Sequence, residues 1–286
     1  MTDRSFPVLA RRAPLRLALA CALAFCATVQ GAAADPAKIA TLLHSEKLFS
    51  ILQQEGVHYG DDLADELLPG GADPGWRAEV AAIHAPARLL PPYEEVLGAA
   101  LAAEKADQGA IERWLGSDLG QRVVTQEIAA RAAMLDQSVE DAAIARAEEA
   151  DAAQDPKLDA VREIIEAADL VEPNVAGGLN ANLAFYRAMA QGGAFPYEVT
   201  ESDMLADVAA QEDDIRADVT SWMEGYLFLA YQGLSLEDLH RCAEFNASEA
   251  GQALLRAQFQ GFDHVYERSS AELGTALARR LNAAEL

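Results

Sequence analysis

Ser248-Glu249-Ala250-Gly251-Gln252 and the apolar residues after it decide the fold of this 286-residue chain. Serine is a favoured N-cap, because its hydroxyl accepts a hydrogen bond from a free backbone N–H of the first helical turn. Glu249 then places an anion at the positive end of the helix dipole. The apolar residues that follow at helical spacing are Leu255, Phe259, Phe262 and Tyr266. The stretch therefore predicts a long capped helix with one broad buried face.

The same pattern occurs upstream as Ser117-Asp118-Leu119-Gly120-Gln121. Further matched pairs are Trp114 with Phe245, Val124 with Leu255, Ile128 with Phe259, and Leu135 with Tyr266. Glycine lowers helix propensity, so Gly120 and Gly251 in a first turn predict a close approach by the preceding helix. We interpret the pair as an internal duplication. The alternative is a chance match of a common pentapeptide, since only Ser, Gly and Gln are identical.

The rest of the chain favours helices throughout. Alanine is abundant, apolar residues recur every three or four positions, and β-branched runs with a period of two are missing. We predict an all-α protein with a duplicated helical-hairpin architecture and essentially no β-sheet. Its parts are a signal peptide over 1–34, a degenerate first helical copy over 35–153, and a second copy over 154–286.

Caps and helix breakers give the predicted helix limits. The expected helices cover 36–54, 60–68, a segment from Asp73-Pro74, one opened by Pro91-Pro92, a short helix at 111–115, 117 to about 154, a segment from Asp155-Pro156, one from Glu172-Pro173, 201–230, a short helix after Ser235, and 248 onward. Gly56 is expected to end the first helix, and Gly177-Gly178 to interrupt another. Residues 140–153 are interpreted as an exposed connector, because they are rich in Ala and Glu.

Residues 1–34 have the features of an export signal. Four arginines precede an apolar run from Leu17 to Val29, and Ala32-Ala33-Ala34 offers a cleavage site. An uncleaved anchor is the alternative, although the run is short for a membrane span. We therefore predict a periplasmic or secreted protein that is cleaved after Ala34 and has no integral membrane segment afterwards.

Net charge limits the partners. Cleavage removes four arginines and one aspartate, which changes the formal charge from −24 to −27. Such acidity repels nucleic acid and anionic lipid, so neither is an expected partner. It favours solubility and is compatible with a basic partner, the alternative being a solvated surface without a specific partner. Cys242 is the single cysteine after cleavage, so no intramolecular disulfide can form.

The stretch from Leu234-Ser235-Leu236-Glu237-Asp238-Leu239 through Phe245, Ser248, Gly251 and Gln252 resembles a bacterial family of secreted proteins, domain of unknown function 2059. The resemblance covers about the last fifty residues, and residues 100–135 more weakly. Asp118 and Glu249 stand where the family pattern has a proline, and both suit the first helical position. The resemblance implies an exported helical protein and carries no activity, because none is assigned to the family.

No motif in the chain predicts a catalytic, cofactor or metal site. The histidines lack H-E-x-x-H spacing and paired cysteines. Glu237-x-x-His240 has the spacing found in di-iron bundles, but exposed neighbours on a short helix would have it too. No phosphate loop or dinucleotide fingerprint occurs.

Two functions remain open. The first is a non-enzymatic envelope module that binds an unknown protein or peptide, or a second copy of itself, in an apolar groove. The groove residues would be Trp222, Tyr226, Phe259, Phe262 and Tyr266. The second is a periplasmic hydrolase with a pair of carboxylates, which would place an acid of raised pKa in a cleft. We predict the first.

Overall fold

The computed structural model describes residues 36–284, so the predicted signal peptide lies outside the described residues. The first half contains α1 (Pro36–Leu42), α2 (Ser45–Leu67), α3 (Pro74–Ile83), α4 (Pro86–Ala103), α5 (Gln108–Leu115), α6 (Asp118–Ala133) and α7 (Gln137–Ala152). The second half contains α8 (Pro156–Ala167), α9 (Val171–Gln191), α10 (Glu201–Ala209), α11 (Glu212–Ala230), a 3₁₀ turn (Tyr231–Gly233), α12 (Leu236–Asn246) and α13 (Glu249–Ala284). Residues 36–284 contain no β-strand, which confirms the all-α prediction.

Side-chain caps begin several of these helices where the sequence predicts a start. The carboxylate of Asp73 accepts from the backbone N–H of Trp76 at 2.7 Å, and Pro74 follows it at the first helical position. Thr200 and Ser235 each form a capping box with an aspartate three residues later. These starts could be predicted because a cap depends on only a few consecutive residues.

The helix predicted over 36–54 begins at Pro36 as expected, but it is interrupted after Leu42 and does not end at Gly56. His44 adopts a left-handed conformation (φ 51°) between α1 and α2, and α2 continues through Gly56 and Gly60. A Cβ atom on Gly56 would lie 2.5 Å from Cγ of His84, and one on Gly60 would lie 2.8 Å from a methyl group of Val80. Both glycines therefore allow α3 and its C-cap to approach α2, and neither ends the helix.

Two other predicted breakers lie inside helices. Pro91 and Pro92 are within α4, which begins instead at Pro86. Gly177 and Gly178 are buried within α9, where a Cβ on Gly177 would lie 2.7 Å from Oδ1 of Asp263. Packing against neighbouring helices outweighs the local preference of these residues.

The two longest helices predicted before residue 231 are each divided. The helix expected over 117–154 ends at Ala133, and Asp136 starts α7 by accepting from the backbone N–H of Ser138 at 2.8 Å. The helix expected over 201–230 is interrupted between Ala209 and Glu212. Continuous apolar spacing does not reveal such an interruption when the segments on both sides bury a face.

Residues 140–153 are not an exposed connector, because most of them belong to α7, which packs along α11. Ala143, Ala147 and Ala150 are buried, and a Cβ on Gly225 of α11 would lie 3.0 Å from the Cα of Ile144. Small side chains on both helices allow this close contact. A stripe of alanines is therefore a packing face here.

The main hydrophobic core draws on both halves of the chain. Helix α13 packs on α9 and also crosses to α4, while α6 and α7 pack on α11. Tyr93 of α4 lies between two rings, with centroids 5.1 Å from Phe49 and 4.6 Å from Phe262. Each half therefore packs its last helices, α6 and α7 in one and α13 in the other, against a helix of the other half.

Candidate functional site

The two capping motifs, residues 117–121 (the first cap) and 248–252 (the second cap), make the same local hydrogen bonds. Ser117 Oγ accepts from the backbone N–H of Gly120 at 3.0 Å. Ser248 Oγ accepts from the backbone N–H of Gly251 at 3.1 Å. Both serines are N-caps, as their position predicts.

The glutamine of each cap connects three segments of chain. Gln121 Nε2 donates to the carbonyl oxygen of Leu115 at 2.6 Å and to that of Leu42 at 3.0 Å. Gln252 Nε2 donates to the carbonyl oxygens of Asn246 and Ala167, both at 2.7 Å. The accepting groups lie at the ends of α5 and α1 in one half and of α12 and α8 in the other. Only the identity of the two glutamines could be seen in the sequence, and it did not indicate this role.

The two cap glycines lie directly against the end of the preceding helix. A Cβ on Gly120 would be 2.1 Å from the carbonyl oxygen of Trp114, and a Cβ on Gly251 would be 2.0 Å from that of Phe245. Real Cβ atoms do not come so near an oxygen, so any side chain here must displace backbone. This is the close approach that a glycine in the first turn suggests.

The two caps also meet through the aromatic residues that precede them. The rings of Trp114 and Phe245 are fully buried, with centroids 6.1 Å apart and planes inclined by 30°. Such tilted pairs contribute about 0.5–1.5 kcal/mol beyond the burial of their area. The contact places the ends of α5 and α12 beside each other in the main hydrophobic core.

The residues of the predicted groove lie in the core. Trp222, Tyr226, Phe259, Phe262 and Tyr266 are all buried. The ring of Trp222 stacks on that of Tyr226 at 4.8 Å, and Phe262 stacks on Tyr266 at 5.7 Å. The predicted groove is therefore closed within the described chain, because a stripe at helical spacing looks the same whether a core or a ligand covers it.

A buried polar cluster that no sequence pattern indicated lies beside this aromatic core. The hydroxyl of Tyr231 donates to Glu127 Oε1, and the hydroxyl of Tyr226 donates to the backbone carbonyl of Glu127 at 3.1 Å. Burial raises the pKa of the Glu127 carboxyl and of the Tyr231 hydroxyl well above their ordinary values. Burial also raises the pKa of the nearby Cys242 thiol to about 12, so this cysteine is not a thiolate nucleophile.

One turn further along α6, Arg131 forms a buried ion pair. Its guanidinium donates to both carboxylate oxygens of Glu55, at 2.8 and 2.9 Å, and its Cζ lies 5.9 Å from the ring centroid of Trp222. Only 1% of the Arg131 side chain is exposed. Charged side chains are usually exposed, so the sequence did not mark Glu127 or Arg131 as buried.

A small cavity adjoins Glu127. Its wall contains Leu43, Ser45, Leu48, Tyr93, Val124, Glu127, Ile128 and Gln258. The volume is about 10 Å³, close to what a single water molecule needs. A substrate of ordinary size could not reach this carboxyl.

The part of the chain that the structure describes contains few other groups that could form a catalytic or metal site. Glu-x-x-His spacing occurs at 237–240 and again at 55–58, but Glu55 pairs with Arg131 and His240 lies 2.9 Å from Glu163. Among residues 36–284, His, Cys, Asp and Glu side chains form no group of three that could hold a metal ion. None of the helices described is long and apolar enough to cross a membrane.

Comparison with known proteins adds no assignment: no family model, curated protein or solved structure matches this chain. The resemblance to the family of unknown function therefore stays a prediction.

Proposed function

We propose that this chain is an exported, non-enzymatic envelope protein, a rigid helical module that binds or scaffolds a partner. The observation that carries the proposal is the interlocked core, in which α13 packs on α4 of the first half and α6 on α11 of the second. Such a body holds its outer helix faces in fixed positions, as a binding scaffold requires. The matched caps support the same view, because they hold the ends of α5 and α12 against each other.

Internal duplication is part of this proposal. The cap serines, glycines and glutamines are each separated by 131 positions and make equivalent hydrogen bonds. The order of helices before each cap is also alike, from a short first helix (α1 and α8) to the short helix that precedes the cap (α5 and α12). A chance match of five residues would not be expected to follow the same order of helices in both halves.

The partner that fits the surface best is a protein or peptide with basic groups. Most arginines of the described chain already pair with carboxylates, for example Arg162 with Glu224 and Arg216 with Glu172. The chain has 46 acidic and 22 basic residues, so many carboxylates have no cationic partner within the protein. Positive groups on a partner would be attracted to this surface, more strongly at low salt.

The alternative function, a hydrolase with a pair of carboxylates, gains no support from Glu127. This acid is deeply buried, and its pKa is raised well above the ordinary value. Glu127 accepts a hydrogen bond from the hydroxyl of Tyr231 and faces a cavity of about 10 Å³. A hydrolase acid must reach its substrate at hydrogen-bond distance. The geometry around Glu127 is therefore that of a structural group.

In-cell crosslinking of the tagged full chain tests the proposal. We expect the exported protein to capture the same partner, or a second copy of itself, in repeated experiments, with the yield falling as salt rises. The control is the same chain without residues 1–34, which should be retained inside the cell and should not form the product. A clean monomer in the envelope, or N-terminal sequencing that shows no cleavage near Ala34, would contradict the proposal.

A further inference from the structure

Three buried polar atoms around the cavity beside Glu127 have no hydrogen-bond partner among the described residues. They are Ser45 Oγ, Glu127 Oε2 and Gln258 Nε2. Each residue is at least 97% buried, and all three line the same cavity. A buried polar group without a partner costs about 1–3 kcal/mol, so three around one small space indicate that something polar satisfies them.

The three residues come from different parts of the fold. Ser45 begins α2, Glu127 lies in α6 and Gln258 lies in α13. Glu127 and Gln258 are separated by 131 positions, as the cap serines are. The cavity therefore lies where equivalent turns of α6 and α13 face a common space, and whatever occupies it contacts both halves.

The chemistry of the three groups selects the occupant. The amide nitrogen of Gln258 only donates, the hydroxyl of Ser45 donates or accepts, and the carboxyl of Glu127 accepts, or donates when protonated. A metal cation would be repelled by the amide hydrogens, and an anion would face the Glu127 oxygens. A molecule that both donates and accepts fits all three.

We propose that this cavity is a binding site for one water molecule, which accepts from Gln258 Nε2 and exchanges hydrogen bonds with Ser45 Oγ and Glu127 Oε2, and so joins the two halves. The volume of about 10 Å³ suits one water with about three partners, the usual number for buried waters. The inference does not depend on the proposed function.

A crystal structure of the full chain at high resolution tests the site first. We expect one ordered peak in the cavity at about 2.7–3.2 Å from the three polar atoms. Magnetic relaxation dispersion of water oxygen should show one long-lived water fewer in Gln258→Leu than in the unmodified chain. Ile128→Val is the matched control, because it changes an apolar part of the wall and should keep the long-lived water.

Three results would overturn the proposal. The first is a cavity without density in the unmodified chain. The second is a peak that gives an anomalous signal after soaking in rubidium chloride, which would identify a cation site. The third is an unchanged number of long-lived waters in Gln258→Leu. Should that variant fail to fold, the crystal structure and the rubidium soak of the unmodified chain still decide.

Discussion

The first and second caps have the same hydrogen bonds, yet the helices that follow them differ. After Ser117, helix α6 ends at Ala133 and a new helix starts, whereas α13 continues unbroken from Glu249 to Ala284. The matched residues at the break are Asp136 and Glu267, and the short Asp136 side chain accepts from the next turn as an N-cap. Glu is a poor N-cap by comparison. The cap therefore determines how each helix begins, whereas later residues determine where the helix ends.

The buried faces of α6 and α13 differ as well. In the proposed duplication, with its offset of 131 positions, Arg131 and Glu127 of the first half correspond to Phe262 and Gln258 of the second. Phe262 stacks on other rings, whereas Arg131 needs Glu55 to balance its charge. The position of Arg131 and Phe262 is therefore occupied by a member of an ion pair in one half and by an aromatic ring in the other.

Removing the buried charge should have the largest effect. Arg131→Ala leaves Glu55 without its partner, and breaking a buried pair in this way costs about 3–5 kcal/mol of unfolding free energy. Urea unfolding of the full chain measures the loss. The double variant Arg131→Ala with Glu55→Ala should be less destabilised than Arg131→Ala alone, because it leaves no buried charge unpaired. A double-variant loss equal to the sum of the losses in Arg131→Ala and Glu55→Ala would show that the pair is not coupled.

Substitution of the cap glycines should come next. Gly120→Ala and Gly251→Ala each place a Cβ about 2 Å from a carbonyl oxygen, which should cost about 2–3 kcal/mol through forced backbone displacement. The two losses should agree within about 1 kcal/mol if the caps are equivalent. Gly109→Ala, whose Cβ would meet only the side chains of Arg113 and Asp107, is the control and should not destabilise. A large loss at only one cap would break the comparison.

Loss of either cap glutamine should cost somewhat less. Gln121→Ala and Gln252→Ala each remove two donated hydrogen bonds, for about 1–2 kcal/mol. Thermal unfolding should show similar decreases for both. Gln→Glu at either position, which keeps the shape but loses the donor, should be no better than Ala. Full stability of Gln252→Glu would mean that these bonds are not what holds α8 to the cap.

The cap serines should give the smallest energetic change. Ser117→Ala and Ser248→Ala each remove one N-cap acceptor, at about 1 kcal/mol. Ser→Asp at the same positions should restore most of the loss, because aspartate is an equally good cap. Failure of aspartate to restore either variant would indicate that the serine hydroxyl has another role.

The difference between Glu127 and Gln258 predicts that the unfolding free energy depends on pH. The direction of that dependence tests the assignment. The pKa of Glu127 is raised by burial, so the folded state holds a proton that the unfolded state has lost, and stability falls as pH rises above the ordinary value of glutamate. Glu127→Gln removes this dependence and resembles the second half. Its unfolding free energy relative to the unmodified chain should rise between about pH 5 and about pH 8. Asp263→Asn is the control, since the pKa of Asp263 is raised only to about 6. A difference that falls with pH would contradict the assignment.

What the sequence could predict was local. The helical class and the capped starts at Asp73, Thr200 and Ser235 follow from a few neighbouring residues. The role of Gly56, the continuity of α4 through Pro91 and the burial of α7 depend on helices far away in sequence. Local propensity is too weak to decide such cases.

The candidate site divides in the same way. The cap residues could be identified because the motif recurs, whereas the polar cluster around Glu127 could not. Glu127, Tyr231 and the adjoining cavity residue Gln258 lie on three different segments and share no local pattern. The aromatic stripe could be predicted, but not whether it faces a groove or the core.

Hydrogen exchange of the Gly251→Ala variant tests the central claim, that the two caps hold interlocked halves in one cooperative body. Helix α13 carries this glycine and packs on α4 of the other half. We predict that backbone amides of α4 lose as much protection as those of α13, because both open together. Loss of protection confined to the second half, with α4 unchanged, would contradict the account.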